Sequence, residues 1–266
     1  MDTAERELLE EALRKTMTTS EPGAGLDSAL ADLGWPQMLA EEPDTAVPLV
    51  FRLLGETGTQ AAVLNDVVLR AAGRPVGGTL PLPYAGGRWV EWARVGSPVA
   101  NGLDPGLPLR RVEPGEAVPL AAGRRALGWW LLGTGRAMLA LARQHVVDRQ
   151  QFGRPLASFQ ALRHRLAEAY VALEGAEATL AAAEGDTGSL LAKAAAGRAA
   201  LTTARHCQQA LGGIGFTAEH ALHRHVRRAL VLDGLLGSTR ELTREAGALL
   251  LRERRTRRLV DLRGST

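Results

Sequence analysis

RQQFGRPLASFQ at residues 149–160 and QALGGIGFT at residues 209–217 each connect two predicted helices of this 266-residue chain. Both stretches follow an apolar helical pattern, contain a glycine turn and precede another helical pattern. Pro155 suits the first turn of a new helix, and the Gly-Gly pair of the second stretch ends a helix where left-handed geometry costs little. Helices joined by short turns are typical of a bundle.

The residues around these turns predict the helices of that bundle. One helical pattern covers residues 123–150, and the next carries its apolar stripe on Phe159, Leu162, Leu166, Tyr170 and Leu173. Further patterns cover residues 188–211, 217–233 and 238–256, and Thr217 is positioned to cap the fourth of these helices. We therefore expect a carboxy-terminal helical bundle over residues 122–266.

The amino-terminal part is also predicted to be helical, over residues 1–73. Helical patterns occur at residues 2–17, 29–39 and 46–72, and the proline and glycine content of residues 20–26 predicts a loop. Residues 74–121 differ because they are dense in glycine and proline, with short alternating runs that predict a few strands. The fold class is therefore mainly α, with a shortened amino-terminal helical part and a small β remnant.

Bulk properties exclude several functional classes. The net charge is only +3, hydrophobic residues make up 45% of the chain, and no run of eighteen apolar residues predicts a membrane span. Because the amino terminus is acidic and amphipathic, and Cys207 is the only cysteine, we expect a cytoplasmic protein. A solvated helix end explains the basic tail better than nucleic-acid binding does; its arginines are Arg252, Arg254, Arg255, Arg257 and Arg258.

Few single residues look catalytic. His223 and His225 are two positions apart, on different sides of a helix, which argues against a metal site. A buried structural role is expected for Cys207. Gly133-Thr134-Gly135 has no strand before it and is a weak dinucleotide fingerprint.

The two glycine turns carry the more informative chemistry. Glycine lets a large planar ligand or a phosphate approach the backbone, and nearby arginine and amide side chains suit a pyrophosphate and an adenine edge. Two helix-helix turns with capping glycines would give the same sequence, so both interpretations stay open at this point.

Three motifs in this order resemble the acyl-CoA dehydrogenase family. They are Arg-x-x-Phe-Gly-x-Pro-Leu-x-x-Phe-Gln from Arg149, Gln-Ala-Leu-Gly-Gly-Ile-Gly-Phe-Thr-x-Glu from Gln209, and His-Arg-His-Val-Arg-Arg from His223. The resemblance spans about residues 123–255. It implies a carboxy-terminal bundle at the core of the oligomer, with FAD lying across a subunit interface.

The resemblance also implies which residues touch the cofactor. The ADP half of a FAD held mainly by a neighbouring subunit would contact Arg149, Phe152, Gln160, Gln209, Gly212 and Gly213, and Ser238 occupies a Gly-Thr-like position. The family removes an α-proton from an acyl-CoA thioester with a glutamate while hydride passes to the flavin. The position of that glutamate is Leu236 here, and the alternative location, near Gly123, Arg124 and Arg125, holds no carboxylate either.

We therefore expect a non-catalytic subunit that completes the FAD site of a larger catalytic homologue, in a heterotetramer (α2β2). The acyl-CoA would bind through the partner, and steroid side-chain thioesters are the substrate class that the resemblance implies. Two alternatives stay open. One is a self-sufficient flavoenzyme with Asp233 as the base, and the other is a helical interaction protein without enzymatic activity.

Overall fold

The computed structural model describes residues 3–94 and 102–254, and these residues are mainly helical, which confirms the predicted fold class. The described helices are α1 (Thr3–Thr19), α2 (Ala24–Asp32), α3 (Trp35–Glu41), α4 (Pro43–Thr57), α5 (Val63–Ala71), α6 (Ala121–Asp148), α7 (Gln160–Ala181), α8 (Gly185–Leu211), α9 (Leu222–Gly234) and α10 (Thr239–Glu253). Two short 3₁₀ turns, Leu156–Ser158 and Gly212–Phe216, lie in the two connections that the sequence singled out. The division into three domains stays a prediction.

Helix α6 is the central element of the bundle. It packs against α4, α7, α8 and α9, and residues 126–135 are buried on every face. Helices α6 and α8 are both connected to α7 by short turns, so they run in the same direction and end at the same end of the bundle. Both glycine turns therefore lie at that end.

Glycines let α4 and α6 cross at very short distance. A Cβ built on Gly133 would lie 2.0 Å from the Arg52 carbonyl oxygen, and one on Gly55 would lie 2.4 Å from the Trp130 carbonyl oxygen. The Gly133-Thr134-Gly135 run is thus a helix-packing contact, in agreement with its weakness as a nucleotide fingerprint.

The amino-terminal helices are more divided than the sequence predicted. The predicted loop at residues 20–26 is wrong at its end, since α2 begins at Ala24 after Gly23 (φ 86°). Gly34 (φ 84°) separates α2 from α3, and Gly58 (φ 72°) ends α4 before α5, so two predicted helices are each interrupted. Gly34 and Gly58 each adopt left-handed geometry and end a helix within an apolar stretch of the sequence.

Two predictions in the carboxy-terminal part are wrong. Tyr170 is 55% exposed, because the buried stripe of α7 follows Ala169, Leu173, Ala176 and Leu180. Thr217 caps no helix, since α9 begins at Leu222, and its hydroxyl instead donates to the Ile214 carbonyl oxygen at 3.1 Å. Of the basic tail, Arg252 lies in the last turn of α10 and Arg254 follows it, whereas Arg255, Arg257 and Arg258 lie outside the described residues.

The β remnant is a small antiparallel sheet with strand order β1 (Pro81–Tyr84), β2 (Arg88–Trp92) and β3 (Leu109–Arg111). A further pair of two-residue strands, β4 (Gln150–Gln151) and β5 (Arg154–Pro155), frames the first glycine turn. Strand β1 also forms a bridge from Tyr84 to Leu235, in the loop after α9. The sheet therefore lies directly against the segment that contains Leu236, where the resemblance places the family's glutamate.

Candidate functional site

The first turn is a tight hairpin with Phe152 at its tip. Gln150 pairs with Pro155 and Gln151 with Arg154, which leaves Phe152 (φ 53°) and Gly153 (φ 76°) as a two-residue loop with positive φ at both positions. A phenylalanine in this geometry costs about 1 kcal/mol. The Phe152 side chain is 86% exposed, and among the described residues its ring makes an edge contact with the ring of Phe159, with centroids 6.0 Å apart.

Arg149 and Gln160 flank this hairpin and both are exposed. The Arg149 carbonyl accepts a hydrogen bond from Leu156 N at 2.9 Å, which holds the end of α6 against the start of the next helical turn. Within residues 3–94 and 102–254, no hydrogen bond or ion pair engages the Arg149 guanidinium. The Gln160 amide lies 3.4 Å from His164 Nε2.

The second turn presents an open glycine backbone beside Gln209. Gly212 has φ +64°, a geometry that glycine favours. Gly213 has no positive φ, and a Cβ built on it would meet nothing within 4 Å, so the fold of the described residues does not require glycine there. Gln209 is exposed, and so are the apolar side chains of Ile214 (38%) and Phe216 (67%).

The two turns meet at one end of the bundle. The rings of His145, in the last turn of α6, and His220, just after the second turn, lie 6.1 Å apart. Arg149 and His220 line the same cavity, of about 340 Å³. Burial, with His220 and Arg149 nearby, lowers the pKa of His145, which keeps that ring neutral near pH 7.

This corner is chemically suited to the ADP half of a dinucleotide. An exposed guanidinium can pair with a pyrophosphate, an exposed ring can stack on a planar group, and an open glycine backbone allows close approach. Arg149, Phe152 and Gln160 lie at the first turn, and Gln209, Gly212 and Gly213 lie at the second, at the same end of the bundle. The remaining predicted residue, Ser238, lies elsewhere, at the start of α10.

Leu236, where the resemblance places the family's glutamate, is a buried apolar residue. Leu236 is 0% exposed and has φ 55°, and a Cβ built on Gly123 would lie 2.8 Å from Leu236 Cδ1. Leu236 and Gly123 are therefore adjacent, and no carboxylate occurs at Leu236 or at Gly123, Arg124 and Arg125. The Leu236 amide donates to the Pro83 carbonyl oxygen at 2.8 Å, and the Leu236 carbonyl accepts from Arg124 Nε at 3.1 Å.

The chain's own β-strand closes this space, a feature that sequence reasoning missed. A Cβ built on Gly234 would lie 2.4 Å from the Tyr84 ring, and Ala85 N donates to the Gly234 carbonyl oxygen at 2.8 Å. Tyr84 at the end of a short strand, followed by Ala85, Gly86 and Gly87, was the available signal. Strand β1, through Tyr84, therefore covers one side of the loop after α9, which contains Leu236.

Asp233 and Ser238 both form hydrogen bonds with residues in the first turn of α10. The Asp233 carboxylate accepts from Thr239 N at 3.1 Å and from the Thr239 hydroxyl at 2.5 Å. Ser238 forms a capping box with Glu241: its hydroxyl and amide donate to Glu241 Oε2 at 2.8 and 2.9 Å. Asp233 packs towards Gly197 on α8, whereas Leu236 packs towards Gly123 on α6.

Lys193 holds the same loop from the opposite side, and sequence reasoning missed it. Lys193 is 1% exposed, and its ammonium donates to the carbonyl oxygens of Asp233 at 2.9 Å and Gly237 at 2.6 Å. Burial lowers the pKa of Lys193 to about 7, although the nearby Asp233 carboxylate acts in the other direction. A lysine in an alanine-rich helical segment was the available signal.

The described parts of the chain do not support a metal site, a catalytic cysteine or a membrane-spanning helix. There, no cluster of histidine, cysteine and carboxylate side chains could hold a metal ion. Cys207 is fully buried, and burial raises the pKa of its thiol to about 12, as expected for a core residue and not for a nucleophile. None of the helices searched in the described residues is long and apolar enough to span a membrane.

Comparison with known proteins agrees with these motifs. The family model for the acyl-CoA dehydrogenase C-terminal domain matches residues 117–248. The chain carries the carboxy-terminal domain of the acyl-CoA dehydrogenase family. It is 34% identical over 168 residues to acyl-CoA dehydrogenase IpdE2 of Mycobacterium tuberculosis, which covers 59% of this chain and 53% of that protein. FadE34 of the same organism is 37% identical over 163 residues, covering 57% of this chain and 22% of its own length.

The chain thus spans about half the length of IpdE2 and less than a quarter of the length of FadE34. Solved structures show the same fold at low identity. The steroid ACAD Tcur3481-Tcur3483 matches with a TM-score of 0.73 and 19% identity, over 94% of this chain and 99% of that one. The ChsE4-ChsE5 complex of M. tuberculosis matches with a TM-score of 0.69 and 17% identity, over 94% and 98%.

Proposed function

We propose that this chain is a non-catalytic subunit of a flavin-dependent acyl-CoA dehydrogenase and completes the FAD site of a larger catalytic homologue. One observation carries the proposal. The dinucleotide-suited corner is presented outwards, with Arg149 unpaired among the described residues, while Leu236 and Gly123 leave the chain's own base position without a carboxylate. The chain therefore retains side chains that could contact a cofactor held by a neighbouring subunit, and it lacks the carboxylate that its own proton abstraction would need.

The proposed partner is an acyl-CoA dehydrogenase chain with a complete middle domain and a catalytic glutamate, assembled as two copies of each subunit. Exposed apolar side chains at the corner, Phe152, Ile214 and Phe216, would be covered by this partner. The ChsE4-ChsE5 structure, which has the same fold, is a complex of two differently named proteins. Steroid thioesters are the proposed substrate class and the cytoplasm the proposed location, as the sequence led us to expect.

In this proposal FAD supplies the hydride acceptor when it is bound, and the residues of this chain only bind and orient. The Arg149 guanidinium neutralises pyrophosphate charge, the Phe152 ring packs on the cofactor, and the Gln209 amide contacts the adenine edge. Gly213 keeps the backbone approachable. A positioned base contributes roughly 10²- to 10⁴-fold to proton abstraction, and the partner's glutamate would supply it.

The test is co-expression with a larger homologue, followed by measurement of FAD per pair of chains and of acyl-CoA turnover. We expect one FAD per pair, and turnover that needs both chains. The R149A substitution should weaken FAD binding by roughly tenfold or more, because a charge-assisted pyrophosphate contact is lost. Failure to pair with any homologue, or full FAD retention in R149A, would contradict the proposal.

Gly213 offers a sharper variant, because a methyl group there meets nothing in the described residues. G213A should therefore leave the free energy of unfolding of the chain nearly unchanged and still reduce FAD affinity in the complex. G247A is the matched control, since Gly247 also has open space around it but lies in α10, away from the corner. Equal FAD affinity in both variants would argue against cofactor contact at Gly213.

Two other functions give different results in this experiment. A self-sufficient flavoenzyme with Asp233 as base would be yellow and active when this chain is expressed alone. Hydrogen bonds from Thr239 already engage that carboxylate, which makes it a poor base. A helical interaction protein would stay colourless and would tolerate R149A and G213A without consequence.

A further inference from the structure

His220 lines the same cavity as Arg149, at the end of the bundle where the two glycine turns lie. It follows the second turn and precedes α9, which begins at Leu222. Its half-buried ring stands nearly perpendicular to the ring of His145, at an interplanar angle of 86°. His145 precedes Arg149 by four residues, so one turn of α6 presents both side chains to this cavity.

The hydrogen bonding of the His220 ring determines which of its nitrogens carries the proton. Nδ1 accepts from Leu222 N at 3.1 Å, and a backbone amide can only donate. The neutral imidazole has one proton, which must therefore be on Nε2. In the part of the chain that the structure describes, Nε2 has no hydrogen-bond partner. The ring thus offers one free N–H donor and is held in place through its other nitrogen.

The charges around this cavity suit an anion beside Arg149. The carboxylate in the lining, Asp148, already accepts from Gln144 Nε2 at 2.7 Å, one turn away on α6. The lowered pKa of His145 keeps that ring neutral near pH 7, so it adds no charge. The groups that remain without a partner include the Arg149 guanidinium and the neutral N–H of His220. A pyrophosphate, with several acceptor oxygens, can use both of these donors.

We infer that His220 is a further cofactor-contact residue, whose Nε2–H donates to a pyrophosphate oxygen of the FAD that Arg149 also binds. The inference rests on the proposed function, because the FAD is the one held mainly by the catalytic partner. A hydrogen bond to a charged acceptor is stronger than one between neutral groups. The bond from Leu222 N orients the ring before the cofactor binds, so less side-chain freedom is lost on binding.

The experiment is a titration of the deflavinated complex with FAD, followed by flavin fluorescence, in variants that separate the two nitrogens of His220. In H220N the amide oxygen can replace Nδ1 as the acceptor for Leu222 N, but the donor at the Nε2 position is lost. In H220Q the longer side chain can return a donor to that position, but the bond from Leu222 N is lost. H223N is the matched control, because His223 does not line this cavity and asparagine can replace its donor to the His220 carbonyl oxygen.

We expect H220N to weaken FAD binding by roughly tenfold, because a hydrogen bond to a charged group is lost. H220Q should bind FAD more tightly than H220N does, and H223N should bind it like the wild type. Thermal unfolding of the isolated chain, followed by circular dichroism, should show the opposite order. H220Q should be less stable than H220N, since only H220Q loses the bond from Leu222 N.

The R149A substitution distinguishes failure of this inference from failure of the proposed function. Unchanged FAD affinity in H220N, with a loss in R149A, would overturn the role of His220 alone. Unchanged affinity in both variants would contradict the proposed function as well. Equal losses in H220N and H220Q would assign the effect to stacking or to the shape of the loop, and would overturn the donor role. An equal loss in H223N would assign it to the start of α9 as a whole.

Discussion

Leu236 and Gly123 lie in direct contact: a Cβ built on Gly123 would stand 2.8 Å from Leu236 Cδ1. The resemblance places a catalytic carboxylate at Leu236 or, as the alternative location, near Gly123, Arg124 and Arg125. The apolar contact between Leu236 and Gly123, closed further by Val68 and by β1, makes the position of the base part of the hydrophobic core. Restoring one glutamate would therefore place a carboxylate in an apolar environment.

The L236E substitution should consequently give no activity in the isolated chain. A buried, unpaired carboxylate costs several kcal/mol, so we expect the free energy of unfolding to fall by about 3 kcal/mol or more. L236M is the matched control, because a volume-conserving apolar substitution usually costs less than about 1.5 kcal/mol. Urea unfolding and acyl-CoA turnover check both statements. Turnover by the L236E chain alone would contradict the packing argument.

Stability should rise with pH above neutrality because of Lys193. Its pKa in the folded chain is about 7, below the ordinary value of 10.5. Between these values the unfolded chain holds a proton that the folded chain does not, so the free energy of unfolding increases as pH rises from about 7 towards 10.5. Urea unfolding at pH 7 and at pH 9.5 measures this difference.

The K193Q substitution should remove most of that pH dependence, while its amide keeps one donor for the loop carbonyls. Lys15 is the only other lysine, and it is exposed on α1, so K15Q is a control that changes charge by the same amount. A wild-type stability that stays flat across this range would show that the ammonium remains charged in the folded chain.

Phe152 should be unfavourable for the stability of the isolated chain. Replacing it with glycine in F152G should stabilise the fold by about 1 kcal/mol, because a left-handed residue loses its steric strain. The same substitution should weaken FAD binding in the complex. F152A separates the two effects, since it removes the ring and keeps the strain, and should therefore weaken FAD binding without stabilising the chain.

Ser238 should matter for folding and not for the cofactor. The S238A substitution breaks the capping box of α10 and should cost about 1 kcal/mol of stability. FAD content of the complex should not change, because the Ser238 hydroxyl is already bonded to Glu241. A selective loss of FAD with unchanged unfolding would restore Ser238 to the cofactor site.

Glu241 gives the same end of α10 an acid dependence. Hydrogen bonds from the Gly86 and Ser238 amides lower its pKa to about 2. Its contribution to stability is therefore complete above its ordinary value of 4.5 and is lost as pH falls from there towards 2. In E241Q the acid part of the stability profile should be shallower, which thermal unfolding between pH 2.5 and 5 would show.

The sequence by itself determined the helical class, the two turns and the absence of a carboxylate at Leu236. These are local properties, because glycine, proline and a 3.6-residue apolar period act over a few neighbouring residues. It failed where a left-handed glycine interrupts an apolar run, as at Gly34 and Gly58, since composition alone does not specify φ.

Only the tertiary structure decided what lies next to what. It brought Gly123 against Leu236, Tyr84 against Gly234, and Lys193 to the carbonyl oxygen of Gly237, although 44 residues separate the last pair along the chain. It also decided that Asp233 faces Thr239 and not the position of the base. Contacts of this kind depend on how helices cross, which is set by the packing of whole surfaces and leaves no periodic signal in the sequence.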